Sequence, residues 1–532
     1  MRPKFSLRAC VLTLVVCFAV RGLTLQDIGG TLAFQGQDII GGAAIIFKAP
    51  KRVRDLAGNT AALLAARRPS RSNRSAEVAR NNRPVSQPTS TTATTTPTTT
   101  TENRAEALKD EGNTHYDRGD YQQAIEAYQN ALKLDPNDAD VYNNLGAAYF
   151  NLNKATEATA AFQKSISLKS DDADAFNNLG ASLYKAGRYR EAREAFQNAV
   201  RLTPNDADAL NNLGAVYYVL EQYDRALDSF VKATAANAAS ADAQYNLGNA
   251  YYMCGRNREA ADAYRKAIEL NPEYVEAKTN LGSLLISSDP SRAVTELQES
   301  VRLRPNNPVA YNNLGFANVK LAETADRTNA VQYLRQAVEA YKEALRLKPD
   351  YVKATNNLGA AYNKLGQYQE AVAVLRQATR AKPDFPEAHY NLGTALYSSG
   401  DFKNAITEFQ QAVRLRQDYA DAYNSLGTAL YKDQQFDAAI DAYKKTLALK
   451  SGNTETNNNL GTVYFRTKRY QEAAASFKEA IRIKPDYAEA HFNLALTYVA
   501  LSDRKAALSE YNRLKQLDPK LAEDFFQRYM KK

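Results

Sequence analysis

The sequence contains no tryptophan, and its 532 residues include only three each of cysteine, histidine and methionine. Cys10 and Cys17 lie in an N-terminal apolar stretch and only Cys254 lies in the body, so no disulfide framework is expected. His115, His389 and His491 are too few and too dispersed to suggest a metal site, and no cofactor is implied. No phosphate-binding Gly-Lys-Ser/Thr loop and no Gly-x-Ser-x-Gly elbow is present. Catalysis is therefore not expected, nor is a small-molecule substrate. Clustered positive charge is also missing from the body. The net charge is +9, but residues 1–104 hold 15 Lys/Arg against 5 Asp/Glu, which leaves the other 428 residues at −1. Phosphate backbones need concentrated cations, so a nucleic-acid groove along the body is excluded.

The first 22 residues read as a secretory signal: Arg2, Lys4 and Arg8 form a charged start, and Ala9 to Val20 form a 12-residue apolar core. That run is shorter than the ~20 residues a spanning helix needs. Leu14-Val15-Val16-Cys17 resembles a lipoprotein box poorly, because Val16 replaces a small residue. The expectation is an exported protein, periplasmic, cell-surface or secreted. The alternative is tethering by an uncleaved N-terminal segment, the one route to membrane contact. Residues 23–104 read as a disordered arm, basic over Arg67 to Arg83. Ten of the thirteen residues from Thr89 to Thr101 are threonine, a composition that forms extended linkers.

What the chain has in abundance is repetition. Asn-Asn-Leu-Gly recurs at 143–146, 177–180, 211–214, 312–315 and 356–359, with near variants between. Counted from each glycine, a small residue follows at +12, an aromatic or leucine at +16 and often proline at +24. Examples are Gly180, Ala192, Phe196 and Pro204, and Gly461, Ala473, Phe477 and Pro485. Each unit therefore holds two amphipathic helices joined by a turn such as Lys185 to Tyr189. Small residues let the helices approach, and proline ends the second. One such pair cannot bury its apolar face alone, so stacking is required.

Period and residues together resemble the tetratricopeptide repeat over residues 105–521. Twelve units start at 105, 139, 173, 207, 241, 275, 308, 352, 386, 420, 454 and 488. The resemblance implies an all-α fold, a right-handed superhelical α-solenoid of helix-turn-helix repeats. The unit at 275 is one residue short near Ser287 to Pro290. The unit at 308 is ten too long between Lys320 and Gln336, where an insertion at the rim is a candidate for partner contacts. Leu521, Phe525, Phe526 and Tyr529 share a helical face, so residues 522–532 complete a C-terminal capping helix, with Lys531 and Lys532 toward water.

Position 6 of the unit is asparagine ten times: Asn144, Asn178, Asn212, Asn246, Asn280, Asn313, Asn357, Asn391, Asn459 and Asn493. Asparagine is a poor mid-helix residue, and its amide offers the donor and acceptor that a peptide backbone presents. In the family resembled, this position faces the concave groove. The array looks like the repeat half of O-GlcNAc transferase, whose asparagine ladder holds substrates, without the catalytic half. Bonding between neighbouring helices is the other reading of the row. Position 12 carries aromatics, among them Tyr184, Tyr218, Tyr252, Tyr397 and Tyr431, which suit either a binding surface or a core. Position 2 is acidic in ten units, where carboxylates meet the helix dipole and disfavour acidic ligands. A carboxylate clamp known in chaperone-binding relatives is matched by Lys109, Asn113 and Asn144 but broken at Asp174 and Asn178.

The function expected is a non-catalytic scaffold or adaptor with protein or peptide partners, gripping extended segments through the asparagine row and the tyrosines. The alternatives are a tethering or assembly component of an envelope complex, using the convex face or the arm, and a substrate-recruiting partner for a separate glycosyltransferase.

Overall fold

The computed structural model describes residues 97–530, and every regular element among them is helical. The proposed signal (1–22), the arm up to residue 96, and Lys531 and Lys532 lie outside the described residues. None of the described helices is long and apolar enough to cross a membrane. Two compact units divide after Leu285. The first contains five helical hairpins and the helix Val275–Leu285. The second begins with Pro290–Leu303, continues through six hairpins and ends on Pro519–Phe525 and the π-helical turn Phe526–Met530.

Regular units pair a 13-residue first helix with a 14-residue second one, as in Ala173–Lys185 and Tyr189–Leu202. Side-chain caps start many of the first helices. Asp172 Oδ1 accepts from the backbone N–H groups of Asp174 and Ala175, and Asp206 does the same for Asp208 and Ala209. Within a hairpin the interlock is between position 8 and position 24. A Cβ placed on Gly180 would lie 2.7 Å from Phe196 ring atoms, and the same holds for Gly393 and Phe409. The rings fill the space that the missing side chain leaves, and Phe196 and Phe409 are completely buried. Ala192 and Ala199, on the same face of the second helix, are buried as fully.

The turn between the helices has its own rule at position 15. The backbone there is left-handed in ten units: Gly119, Gly187, Gly255, Gly366 and Gly400, but also Asn153, Glu221, Gln434, Lys468 and Ser502. Residues with a side chain are strained in that region.

Two boundaries differ from the sequence expectation. The first helix runs Pro97–Arg118, so the end of the threonine tract is helical rather than extended and the array starts before residue 105. The surplus in the unit at 308 is not a rim loop. It lengthens both helices, to Pro308–Thr324 and Arg327–Leu347, because Asp326 caps the second through the N–H groups of Thr328 and Asn329. The closing segment is as expected. Phe525 is fully buried and packs edge-on against Phe492 at 5.6 Å, with Leu521, Phe526 and Tyr529 half-buried around it.

Gly180→Ala is expected to destabilise the fold by about 1–3 kcal/mol through the Phe196 clash. Lys468→Gly is expected to stabilise it by about 1 kcal/mol by removing left-handed strain. Denaturant unfolding of the full chain checks both, and opposite signs would contradict the packing described.

Candidate functional site

The first helices carry the candidate rows, and positions 2 and 6 lie four residues apart on one helical face. The asparagine row is not open to solvent. Asn144, Asn178, Asn212, Asn246 and Asn280 are at most 5% exposed, as are Asn313, Asn357, Asn391 and Asn459, while Asn493 is half-buried. The expectation of exposure fails because successive first helices approach closely enough for their carboxamides to meet.

The meeting has one pattern. Position 6 donates to position 5 of the preceding unit: Asn178 to Asn143, Asn212 to Asn177 and Asn246 to Asn211, each at 3.0 Å. In the second compact unit Asn357 donates to Asn312, Asn391 to Asn356 and Asn493 to Asn458, at 2.8–3.1 Å. Where position 5 is not asparagine, another acceptor serves. Asn144 reaches Asn113 at 3.0 Å, and Asn280 reaches Asn249 at 3.2 Å and the Tyr245 hydroxyl at 3.3 Å. The row breaks between the units at 420 and 454, where Thr456 takes the Asn424 oxygen at 2.9 Å and the Asn459 amide nitrogen is left without a partner.

Each doubled asparagine is thus a two-way coupler, one residue reaching back and the other receiving from the next unit. Reading position 6 alone misses Asn143, Asn177, Asn211, Asn312, Asn356 and Asn458, although the Asn-Asn pair stands in every copy of the string. What the coupling leaves over is an acceptor. The side-chain oxygens of Asn144, Asn212, Asn280 and Asn357 are buried and have no hydrogen-bond partner.

The position-12 aromatics are placed in the hairpin packing. Tyr184 stands edge-on to Tyr189 at 5.3 Å, and Tyr218 to Tyr223 at 5.4 Å. Tyr397 packs on Phe402 at 5.2 Å and Tyr431 on Phe436 at 5.9 Å. These four are at most 9% exposed, and Tyr252 is half-buried. Position 2 remains more accessible. Asp242 accepts from the Tyr274 hydroxyl at 2.7 Å and Glu387 pairs with Arg416 at 2.9 Å. Burial raises the Asp421 carboxyl above its ordinary value, against the pull of Lys450 and Arg416.

Two histidines form a duplicated clip. His389 Nδ1 lies 2.6 Å from Glu408 Oε2 and its Nε2 lies 3.0 Å from the Pro383 carbonyl. His491 repeats this with Glu510 at 2.6 Å and Pro485 at 3.1 Å. At His389, two acceptors around one imidazole suit the doubly protonated ring. For His389, burial lowers the pKa, but the Glu408 hydrogen bond, the Pro383 carbonyl and the Glu408 charge carry it above the ordinary 6.5, with Arg414 opposing. Among the described residues no group of three or more His, Cys, Asp and Glu side chains is placed to hold a metal ion.

The His389 clip stabilises fully below about pH 6.5, where the unfolded ring is also charged, and its contribution is lost as pH rises through the higher folded value. The thermal midpoint of the parent is expected to fall between pH 6 and pH 8 more steeply than that of Glu408→Gln. Parallel curves would contradict the clip.

Comparison with known proteins adds the following. Profiles described as TPR repeat match residues 112–153, 148–187, 181–220, 334–366, 359–400, 393–434 and 463–502. Profiles described as tetratricopeptide repeat match 207–236, 241–274, 420–450 and 488–521. Together these stretches span more than half of the chain and leave out 275–333, where the period departs. No curated protein matches. Among solved structures, a thermophilic TPR protein of Thermus thermophilus is 27% identical over 36% of this chain and 100% of its own, with a TM-score of 0.31. Yeast Tom70 is 19% identical over 80% and 94%, with a TM-score of 0.33. YrrB, described as a TPR protein with an unusual peptide-binding site, is 25% identical over 37% and 96%, with a TM-score of 0.32.

Proposed function

Because the chain belongs to the tetratricopeptide repeat family, we propose that it is a non-catalytic scaffold that holds extended protein segments along the face of its first helices. The observation that carries this reading is the row of leftover acceptors. The amide nitrogens of Asn144, Asn212, Asn280 and Asn357 are engaged between units, while their oxygens have no partner. A buried polar atom without a partner costs about 1–3 kcal/mol. These oxygens are buried, so a backbone N–H from a bound segment removes that cost at a tier where neighbouring first helices part to admit it.

Four residues earlier on the same helices stand the carboxylates of Asp140, Asp208 and Glu276. Acceptors therefore dominate both rows, so segments that present N–H groups and little negative charge are favoured. In this reading the tyrosines Tyr184, Tyr218, Tyr252, Tyr397 and Tyr431 hold the hairpins that carry the face, and the asparagine row makes the contact.

The test is titration of the full chain with fluorescent dodecapeptides of unrelated sequence, neutral in one set and acidic in the other. Neutral peptides are expected to bind about tenfold more tightly than acidic ones. Changing Asn178, Asn212, Asn246 and Asn280 together to Ala is expected to abolish that binding. Because these amides also couple the units, the comparison is made at a temperature where circular dichroism shows both chains folded. Binding that survives in the folded variant, or no binding by the parent, contradicts the proposal.

A further inference from the structure

The second helices form a separate surface, and one place on it combines a buried acceptor with a wall of carboxylates. Between the second helix of one unit and the next hairpin runs a groove whose floor is made by positions 4, 7 and 11 of the following first helix. At two places a polar pair spans this groove without closing it, and at one of them, beside Gln197 and Tyr217, the groove measures about 900 Å³. Gln197 at position 25 donates to the Tyr217 hydroxyl at position 11, at 2.9 Å, and Gln129 does the same to Tyr149 at 3.0 Å. On the wall there Lys232 pairs with Asp228 one turn earlier at 2.7 Å, and Arg225 leaves the lining with one more positive than negative charge.

The groove between Pro290–Leu303 and the lengthened hairpin at 308 departs from this at each point. Its volume is about 460 Å³. Gln298 occupies the glutamine position, but Asn318 stands where six other units have tyrosine and is too short to meet it. Asn318 turns its amide nitrogen back to the Leu314 carbonyl at 2.9 Å, which leaves its side-chain oxygen without a partner in a residue 2% exposed. On the wall, Glu339 and Glu343 replace the acid-base pair with two carboxylates one turn apart. Their partners, Lys342 and Arg346, each bond at 2.8 Å and are not part of the groove lining. Arg335 is on the same wall, so the lining carries one more negative than positive charge.

We propose that this groove takes a lysine or arginine side chain from a segment of a partner protein. Leu314 and Ala340 accept the aliphatic stem, the two carboxylates attract the cationic head, and the orphan Asn318 oxygen receives one of its N–H groups. An acidic or acceptor-only group leaves Asn318 unsatisfied and faces the carboxylates. The site is independent of the first-helix face, and either can fail without the other.

The experiment uses the full chain with ¹³C-methyl-labelled leucine and alanine, titrated with the pentapeptides acetyl-GGRGG-amide and acetyl-GGEGG-amide. The arginine peptide is expected to shift the Leu314 and Ala340 methyl signals saturably, weakening as salt rises, with the glutamate peptide about tenfold weaker. Asn318→Tyr removes the buried unpaired oxygen and offers Gln298 a hydroxyl, so it is expected to raise the thermal midpoint and weaken the response to the arginine peptide. Glu339→Gln with Glu343→Gln changes two groups on the wall rather than in the core and is expected to weaken binding about fivefold while the fold is kept. No saturable shift, equal response to the two peptides, or undiminished binding in the carboxylate variant would overturn the proposal.

Discussion

The hydrogen bond from Asn212 to Asn177, buried and repeated from tier to tier, sets how one hairpin sits on the next. Apolar packing alone fixes this poorly. Alanine and leucine faces slide over one another at little cost, whereas a buried amide that loses its partner is penalised wherever it moves. Each pair therefore acts as a detent. The Asn-Asn dipeptide supplies both halves of it, so any unit carrying the string can dock on any other that carries it.

Beneath that coupling lies a simpler constraint. Glycine at position 8 and an aromatic or leucine at position 24 bring the two helices of a hairpin together, and the whole array inherits this spacing. With the spacing fixed, the position-12 rings fall against those at position 17, which explains why aromatics suited to binding are found in packing instead. The same frame leaves two surfaces with different chemistry. First helices present acceptors in register, a repeated and unselective pattern. The second-helix groove at 308 is singular, produced by Asn318 and the wall carboxylates Glu339 and Glu343.

Much of this was legible from the letters, and what was not shares a cause. The period, the hairpin, the glycine-aromatic contact and the cap at Phe525 follow from residues that recur at one position, which periodicity exposes directly. Asn178 meeting Asn143, or Gln197 meeting Tyr217, joins different positions in different units. The reading of the asparagine row as bonding between neighbouring helices anticipates such a bond but does not name the partner position. Left-handed backbone at Glu221 and Lys468 is hidden because no one residue type holds that position, which is glycine in five units and Asn153, Gln434 or Ser502 in others, and only the shared turn geometry connects them. Length places the surplus at 308 as an insertion at the rim but says nothing about its conformation, which the capping role of Asp326 decides.

The coupling role of the asparagine pairs is tested most directly by a double-mutant cycle on Asn177→Ala and Asn212→Ala, with unfolding free energies measured for the parent, both single variants and the double variant. A buried amide pair predicts that each single change costs about 1–3 kcal/mol and that the double change costs less than their sum by about 1 kcal/mol. Strict additivity, with no interaction energy between the two positions, would contradict the account.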